Sequence, residues 1–288
     1  MPTPDLTIII PARDEAGAIQ PVLACIRSIC PAAELLVVDD GSTDDTARIA
    51  RDEGATVICH PYPMGNGAAI KTGARNARGN TLVFLDADGQ HDPTCIPRLL
   101  EPLKAGYMMA VGARSADSHA NFSRKLANRF YNALAGWMTG QHIEDLTSGF
   151  RAVRADAFRS YLYLLPNGFS YPTTITMAFF RSGLPVCYVP IQAGNRKGRN
   201  SHIRVLHDGT KFLLIIFKIG TLYSPLRLFG PISLMFLLTG LSYYAFTYIT
   251  QHRFTNMGML MLATSVIVFL IGLISEQITN LLYSDRSS

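Results

Sequence analysis

Short apolar runs alternate with helical patterns over the first two thirds of the chain. The apolar runs lie at residues 6–10, 34–39, 56–60 and 81–86, and a segment with helical spacing of apolar positions follows each. Short apolar runs bounded by turn residues are typical of strands buried on both faces of a parallel sheet. The alternation therefore predicts an α/β domain with a mainly parallel sheet built from βαβ units.

Two long stretches near the C-terminus carry no charge, at residues 229–250 and 254–275. Each has 22 residues, which is enough for a helix to cross a hydrocarbon core of about 30 Å. Only a short polar segment around Arg253 separates them. We expect a hairpin of two transmembrane helices; the alternative is a buried helical pair in a soluble fold.

The segment before the first uncharged stretch is amphipathic. Its charged residues share one helical face: Arg204, Asp208, Lys211 and Lys218. We expect a helix that lies in the membrane interface, with an ordinary surface helix as the alternative. The predicted organisation is a domain at residues 1–202, an amphipathic juxtamembrane segment at 203–226 and a transmembrane hairpin at 227–282.

Charge is distributed unevenly along the chain. Charged residues make up 16% and hydrophobic residues 48%, whereas a soluble domain carries about 25% charged residues. Residues 1–194 contain 17 Lys and Arg against 18 Asp and Glu, and residues 195–288 contain 9 against 3. This excludes a uniformly basic nucleic-acid surface and predicts no nucleic-acid partner. The cations before the first span predict a multi-pass protein of the cytoplasmic membrane, with its N-terminal domain in the cytoplasm.

An acidic motif, DADGQH, follows the fourth apolar run. Asp86, Asp88 and Gln90 alternate there, so on an extended segment their side chains point the same way. Three hard oxygen donors suit Mg²⁺ or Mn²⁺, with phosphate oxygens completing the coordination shell. The alternative is a solvated acidic turn.

Two further motifs follow the second and third apolar runs. In DDGSTDDT, one of the adjacent carboxylates is expected to accept from a nucleobase N–H while its neighbour makes a structural bond; the alternative is only a capped turn. GNGAAIK opens a helix with Lys71, and a helix N-terminus attracts pyrophosphate. Ile70 stands where a P-loop or a dinucleotide fingerprint needs glycine.

A basic loop, NRKGRNSH, lies at residues 195–202, directly before the predicted interfacial helix. Such a loop at a membrane surface suits a substrate with a phosphate head and a lipid tail. Simple attraction to anionic lipid is the alternative. A motif with carboxylates, hydroxyls, a glycine and an arginine, EDLTSGFR, precedes it at residues 144–151.

In this order, IIIPARDE, VVDDGSTDDT, GNGAAIKTGARNA, FLDADGQHDP, DLTSGFR and NRKGRNSH resemble the motifs of family 2 glycosyltransferases. The resemblance is narrower with the dolichyl-phosphate mannose synthase-like, or polyprenyl-phosphate glycosyltransferase, branch. It covers nearly the whole chain, including the two C-terminal spans. It implies a nucleotide-sugar-binding domain of the GT-A type.

The resemblance also implies roles for individual residues. The nucleotide would be bound by Pro11, Arg13, Glu15, Asp40, Lys71 and Asp86. The divalent ion that bridges the diphosphate, Mg²⁺ or Mn²⁺, would be held by Asp86, Asp88 and Gln90. The catalytic group would comprise Asp88, Asp145, Ser148 and Arg196.

The acceptor phosphate would contact Ser148 and a loop that closes over both substrates. That loop contributes Arg196, Ser201 and His202, the histidine standing where lysine is commoner in the branch. Glu144 occupies a position that is basic in some members. Arg124 or Arg129 is therefore expected to supply the missing positive charge.

The implied reaction is inverting transfer of a sugar from a nucleoside diphosphate sugar, GDP-mannose or UDP-hexose, to a membrane polyprenyl phosphate such as dolichyl or undecaprenyl phosphate. One alternative is a hydroxyl acceptor on a glycan or glycolipid, with Asp145 as base. Another is a non-enzymatic membrane adaptor that keeps the nucleotide-sugar-binding fold. A processive polysaccharide synthase is disfavoured because the QxxRW motif is absent. The partners are the nucleotide sugar, the lipid and the membrane, and a homo-oligomer is compatible with the sequence.

Overall fold

The computed structural model describes residues 5–114, 122–168, 171–191, 221, 223–253 and 255–284. The chain divides into two compact units. The first comprises Met1–Gly136 and Gln141–His202, and the second comprises Trp137–Gly140 and Ile203–Ser288.

The first half of the first unit is a βα repeat. Its strands are β1 (Leu6–Ala12), β2 (Glu34–Asp39), β3 (Thr56–Cys59) and β4 (Thr81–Phe84). The helices between them are α1 (Ile19–Ile29), α2 (Thr46–Asp52) and α3 (Asn66–Asn76). These strands pair in parallel, β1 lying between β2 and β4. The predicted α/β class with a mainly parallel sheet is confirmed.

The second half completes the sheet. The remaining elements are a 3₁₀ turn (Pro93–Cys95), α4 (Ile96–Lys104), β5 (Met109–Arg114), α5 (Phe122–Thr139), β6 (Arg151–Arg154), α6 (Ala155–Ser160), a 3₁₀ turn (Leu162–Leu164), α7 (Tyr171–Arg181) and β7 (Val186–Ile191). The strand order is β3-β2-β1-β4-β6-β5-β7. Strand β6 runs antiparallel to both β4 and β5, while β5 and β7 pair in parallel.

The sheet is covered on both faces, which explains the uninterrupted apolar strands. Ile8 and Ile10 of β1 pack with α1 and α4 in one buried cluster. Ile9, which points to the other face, packs with Ile70 of α3 and Phe179 of α7 in a second cluster. The carboxyl ends of β1, β2 and β4 therefore lie side by side at one edge of the sheet.

The second unit contains two long helices, α8 (Pro225–Gln251) and α9 (Asn256–Ser284). Both are long and apolar enough to cross a membrane. Ser233 and Ser265 join them by two hydrogen bonds, each hydroxyl donating to the other residue's carbonyl over 2.9 Å. Helix α8 begins at Pro225, so the last two residues of the segment predicted to lie in the interface belong to the first apolar helix. Residues 203–220 of that segment lie outside the described residues.

Candidate active site

An open cleft of about 290 Å³ lies at the carboxyl ends of β1, β2 and β4. Ligands of open α/β sheets bind at this edge. Six residues predicted to bind the nucleotide or the metal line the cleft: Pro11, Arg13, Glu15, Asp40, Asp86 and Asp88. Gly65 and Asn66, at the start of α3, close another side. The positive end of the α3 dipole therefore borders the cleft, where it favours an anionic ligand.

The loop after β1 is fastened to the loop after β2. Asp14 has a φ of +53°, an uncommon conformation for a residue other than glycine. Its amide donates to Ser42 Oγ at 2.9 Å, and its carboxylate accepts from the Thr43 amide at 2.8 Å. The amide of Glu15 donates to Thr46 Oγ1 at 2.9 Å. These bonds hold the strained loop in place and thereby fix the backbone around Arg13 and Glu15.

Asp40 is 5% exposed and supports the neighbouring loop. Its carboxylate accepts from the amides of Met64 and Gly65, each at 2.8 Å, and faces His60 Nδ1 at 2.8 Å. The other ring nitrogen of His60 lies 2.9 Å from Thr72 Oγ1 on α3. Burial alone would raise the pKa of Asp40, but the hydrogen bonds from His60 and the two amides lower it overall. Asp40 is thus an ionised residue that joins β2 to the start of α3.

Asp39, the neighbour of Asp40, has a local role. It is also 5% exposed. Both the hydroxyl and the amide of Ser42 donate to its Oδ1. Asp39 therefore closes the turn after β2, as expected of an acidic turn residue.

The acidic motif after β4 differs from the predicted extended segment. Strand β4 ends at Phe84 and the chain turns soon after, with Gly89 at a φ of +70°. Asp86 and Asp88 nevertheless both line the cleft. Among the described residues, Gln90 is not one that lines the cleft. Its backbone amide donates to Asp88 Oδ1 at 3.1 Å. The backbone turns here, with the Gln90 amide bonded to the Asp88 side chain. The side chains of Asp86, Asp88 and Gln90 therefore do not alternate along an extended segment as predicted.

The donor set fits a divalent ion that is shared with a diphosphate. Among the residues described, no three His, Cys, Asp or Glu side chains are grouped in a way that would hold a metal by themselves. Asp86 and Asp88 supply hard carboxylate oxygens to one cleft. Mg²⁺ is typically bound by one or two carboxylates together with substrate phosphates, not by an all-protein cage. These two residues would hold Mg²⁺ or Mn²⁺ in that way.

Lys71, predicted to bind the nucleotide, has hydrogen-bond partners within the protein. Its ammonium group donates to the carbonyl of Leu165, at 3.1 Å, and to the side chain of Asn167. Partial burial, followed by the nearby charge of Arg75, lowers the pKa of Lys71. The lysine thus fastens α3 to the segment after α6, and Gly65 and Asn66 are the residues of this motif that line the cleft.

Asp145 lies in a network with Arg114 and its own turn. Arg114 Nε and Nη2 donate to its two carboxylate oxygens at 2.7 and 3.1 Å. The amides of Thr147 and Ser148 donate to Oδ1 at 3.0 and 3.1 Å. Burial would raise the pKa of Asp145, but the hydrogen bonds and the charge of Arg114 lower it overall. The carboxylate is therefore ionised and bound on both oxygens.

The predicted acceptor residues are only partly described. Ser148 is 1% exposed, and its hydroxyl has no hydrogen-bond partner among the described residues. Arg129 lies on α5 with an exposed side chain. The side chain of Arg124 lies outside the described residues. The same is true of the whole predicted loop with Arg196, Ser201 and His202.

Three residues near the site were not assigned a role from the sequence. His60 follows β3 without any motif around it. Arg114 ends β5 and meets Asp145 across 31 positions of sequence. His91 stacks on the ring of Phe150, with centroids 5.3 Å apart. Only His91 had a local signal, its place in DADGQH, because the partners of the other two are distant in sequence.

Comparison with known families agrees with this geometry. Residues 7–162 match the model of glycosyl transferase family 2, and residues 224–281 match the GtrB C-terminal hairpin. The chain belongs to glycosyl transferase family 2. The resemblance of the motifs is thereby confirmed, and so is the pairing of a GT-A-like domain with an apolar C-terminal hairpin.

Among curated proteins, the chain is 29% identical over 260 residues to glycosyltransferase AglJ of Haloferax volcanii, covering 87% of this chain and 85% of that protein. It is 29% identical over 223 residues to polyprenol monophosphomannose synthase of Mycolicibacterium smegmatis, covering 70% and 84%. Among solved structures, glucosyl-3-phosphoglycerate synthase from Mycobacterium tuberculosis with Mn²⁺ and UDP-glucose superposes with a TM-score of 0.59 at 23% identity, covering 73% and 76%. This last likeness concerns the fold.

Proposed function

We propose that the protein transfers a sugar, with inversion at the anomeric carbon, from a nucleoside diphosphate sugar to a polyprenyl phosphate in the membrane. The observation that carries this proposal is the single cleft that gathers Asp40, Asp86, Asp88 and the start of α3. The relative named as a polyprenol monophosphomannose synthase supports a polyprenyl phosphate acceptor. The apolar hairpin supports an acceptor that stays in the bilayer.

The nucleotide would lie across the ends of β1 and β2. Asp40 Oδ1 receives two hydrogen bonds and Oδ2 receives one from the described residues. A lone pair on Oδ2 is therefore available to a nucleobase N–H. The side chains of Arg13 and Glu15 border the same cleft, and the diphosphate would lie at the N-terminus of α3.

Asp86 and Asp88 would hold Mg²⁺ or Mn²⁺ against the diphosphate. The ion, when bound, neutralises the negative charge that the leaving diphosphate gains. The fold neighbour solved with Mn²⁺ and UDP-glucose supports this assignment.

The acceptor needs positioning more than it needs a base. A phosphate monoester has a second pKa near 6, so its oxygen is largely ionised at neutral pH. Asp145 is an unfavourable general base for a hydroxyl acceptor, because the best base has a pKa near the working pH and Arg114 lowers that of Asp145. Phosphate contacts are proposed for Ser148, the arginines of α5, Arg124 and Arg129, and the loop with Arg196, Ser201 and His202.

The donor is proposed to be GDP-mannose or a UDP-hexose, and the cleft is proposed to face the cytoplasm, where nucleotide sugars are available. The cations that precede the first apolar helix support this orientation. The mannose in the name of the mycobacterial relative supports mannose as the transferred sugar.

The full chain in detergent, given radiolabelled GDP-mannose, UDP-glucose and UDP-galactose in turn, tests the proposal. Undecaprenyl phosphate should become labelled by one donor, and EDTA should prevent this until Mn²⁺ or Mg²⁺ is restored. Undecaprenol, with the same tail and no phosphate, should be a poor acceptor. Equal labelling of the alcohol would favour a hydroxyl acceptor, and nucleotide-sugar binding without any transfer would favour the adaptor alternative.

A further inference from the structure

The turn that contains TSGF lies directly behind the acidic motif. A Cβ placed on Gly149 would be 2.9 Å from Asp86 Oδ2. Carbon and oxygen atoms rarely approach so closely, so only glycine leaves the Asp86 carboxylate in its present position. The next residue, Phe150, stacks on His91 of the same acidic motif. The turn therefore contacts DADGQH at two points.

The backbone of this turn is held from both sides. Asp145 accepts from the amides of Thr147 and Ser148. Arg151 Nη2 donates to the carbonyl of Ser148, and Tyr171 Oη donates to the carbonyl of Gly149 at 3.2 Å. Consecutive carbonyls are thus fixed by two side chains that do not line the cleft. A turn fixed in this way cannot move away from Asp86 without breaking several bonds.

Arg151 lies in a position that is energetically unfavourable for a charged side chain. Its side chain is fully buried. Nη1 donates to the carbonyl of Pro172 at 3.1 Å and to Thr176 Oγ1 at 3.2 Å. A buried cation is unfavourable for stability unless hydrogen bonds and opposite charges compensate it. Through these bonds and its bond to the Ser148 carbonyl, Arg151 fastens the turn beside Asp86 to α7.

We propose that the 145–151 turn is the positioning element for the Asp86 carboxylate, with Gly149 as the residue that permits the close approach and Tyr171 and Arg151 as the residues that hold it. This inference rests on the metal-binding role that the proposed function gives to Asp86. Groups that orient metal ligands from behind typically change metal affinity or activity by about 10- to 100-fold when they are altered.

Gly149→Ala is a clean test because it leaves the backbone undisturbed. Gly149 does not have a positive φ, and the added methyl group meets a side-chain oxygen first, not the backbone. The fold should be retained while the carboxylate is displaced. Gly17→Ala is the matched control, because its added Cβ meets nothing within 4 Å.

Calorimetric titration of Mn²⁺ into the full chain in detergent, with saturating UDP and in parallel with saturating GDP, gives a readout that does not depend on activity. Gly149→Ala should weaken Mn²⁺ binding by about tenfold or more. Tyr171→Phe, which removes one hydrogen bond, should weaken it by about threefold. Gly17→Ala should match the wild type, and thermal unfolding should be the same for Gly17→Ala and Gly149→Ala.

A double-mutant cycle separates positioning from a general structural effect. If Gly149 acts through Asp86, then Gly149→Ala should have little further effect on Mn²⁺ affinity in an Asp86→Asn background. Wild-type Mn²⁺ affinity in Gly149→Ala, or an equal loss in both backgrounds, would overturn the inference. If Asp86→Asn alone binds Mn²⁺ as the wild type does, the metal assignment fails and the inference fails with it; if Asp86→Asn loses Mn²⁺ while Gly149→Ala keeps it, only the positioning inference fails.

Discussion

The loop after β2 and the loop after β4 each bring two aspartates to the same edge of the sheet, yet their surroundings differ. Asp39 and Asp40 are each 5% exposed and accept hydrogen bonds from backbone amides and side chains of their own and neighbouring loops. Asp86 retains 36% exposure of its side chain, and Asp88 is also half-buried. Both line the cleft.

The difference follows from what surrounds each loop. The β2 loop lies between the loops after β1 and β3. Its Thr43 amide donates to the Asp14 carboxylate of the first, and its Asp40 carboxylate accepts from His60 and Gly65 of the second. The β4 loop has the TSGF turn behind it and the cleft in front. Asp40, Asp86 and Asp88 all line the cleft, but Asp40 is buried and accepts three hydrogen bonds from the neighbouring loop, whereas Asp86 and Asp88 are more exposed.

The largest expected effect comes from the β4 loop. Asp88→Asn should lower transfer by roughly a thousandfold, because a metal contributes several kcal/mol to the transition state and each 1.36 kcal/mol is tenfold in rate. Initial rates of label incorporation into lipid measure this. Asp52→Asn, at a 65% exposed side chain on α2, is the control and should keep the wild-type rate. A wild-type rate for Asp88→Asn would remove the distinction between the two loops.

Substitution of Asp40 in the β2 loop should change the free energy of unfolding more than the rate of sugar transfer. Asp40→Asn places an amide NH₂ where an acceptor is needed, so the free energy of unfolding should fall by about 1–3 kcal/mol. Thermal unfolding followed by circular dichroism would show a lower midpoint. Asp88→Asn should leave the midpoint near that of the wild type. The comparison breaks down if Asp88→Asn lowers the midpoint more than Asp40→Asn does.

The pH dependence of the unfolding midpoint should also show the structural role of Asp40, with a smaller effect than the substitution itself. The folded-state pKa of Asp40 lies below its ordinary value of 3.8, so its ionised form stabilises the fold above that pH and this contribution is lost as the pH falls through the folded pKa. The difference in unfolding midpoint between wild type and Asp40→Asn should therefore shrink as the pH falls below about 4. A difference that grows with acidification would contradict the assignment.

The smallest effect is expected at the far end of the Asp40 network. Thr72→Val removes the partner of His60 Nε2 while preserving the shape of the side chain. Unfolding free energy should fall by about 0.5–1.5 kcal/mol, the worth of one neutral hydrogen bond. Transfer rates should remain near wild type, and a large loss of transfer would give His60 a direct part in catalysis.

Much of the fold was predictable because local pattern and tertiary structure agree. The apolar runs of β1 to β4 mark strands that are buried on both faces, and 22 uncharged residues mark each long apolar helix. Strand β6 was not predicted, since RAVR has four residues with an arginine at each end. Its place in the sheet is decided by pairing with β4 and β5, which are distant in sequence.

The sequence predicted six residues that line the cleft, but not which of its carboxylates are fixed by bonds within the protein. Strand ends bring Asp40, Asp86 and Asp88 to one edge, and that follows from topology alone. Which carboxylate is committed to structure depends on distant partners such as His60. Lys71 shows the same limit, because helical spacing places it on a face of α3 while its partner Asn167 lies 96 positions away.

The most direct test of the central claim compares Mn²⁺ affinity in one variant from each loop. Calorimetric titration of the full chain at saturating UDP, and separately at saturating GDP, should show that Asp40→Asn keeps the affinity of the wild type for Mn²⁺. Asp88→Asn should lose at least about tenfold under the same conditions. Equal Mn²⁺ affinity in Asp88→Asn and the wild type, or a loss confined to Asp40→Asn, would contradict the assignment of the β4 loop as the metal-binding loop.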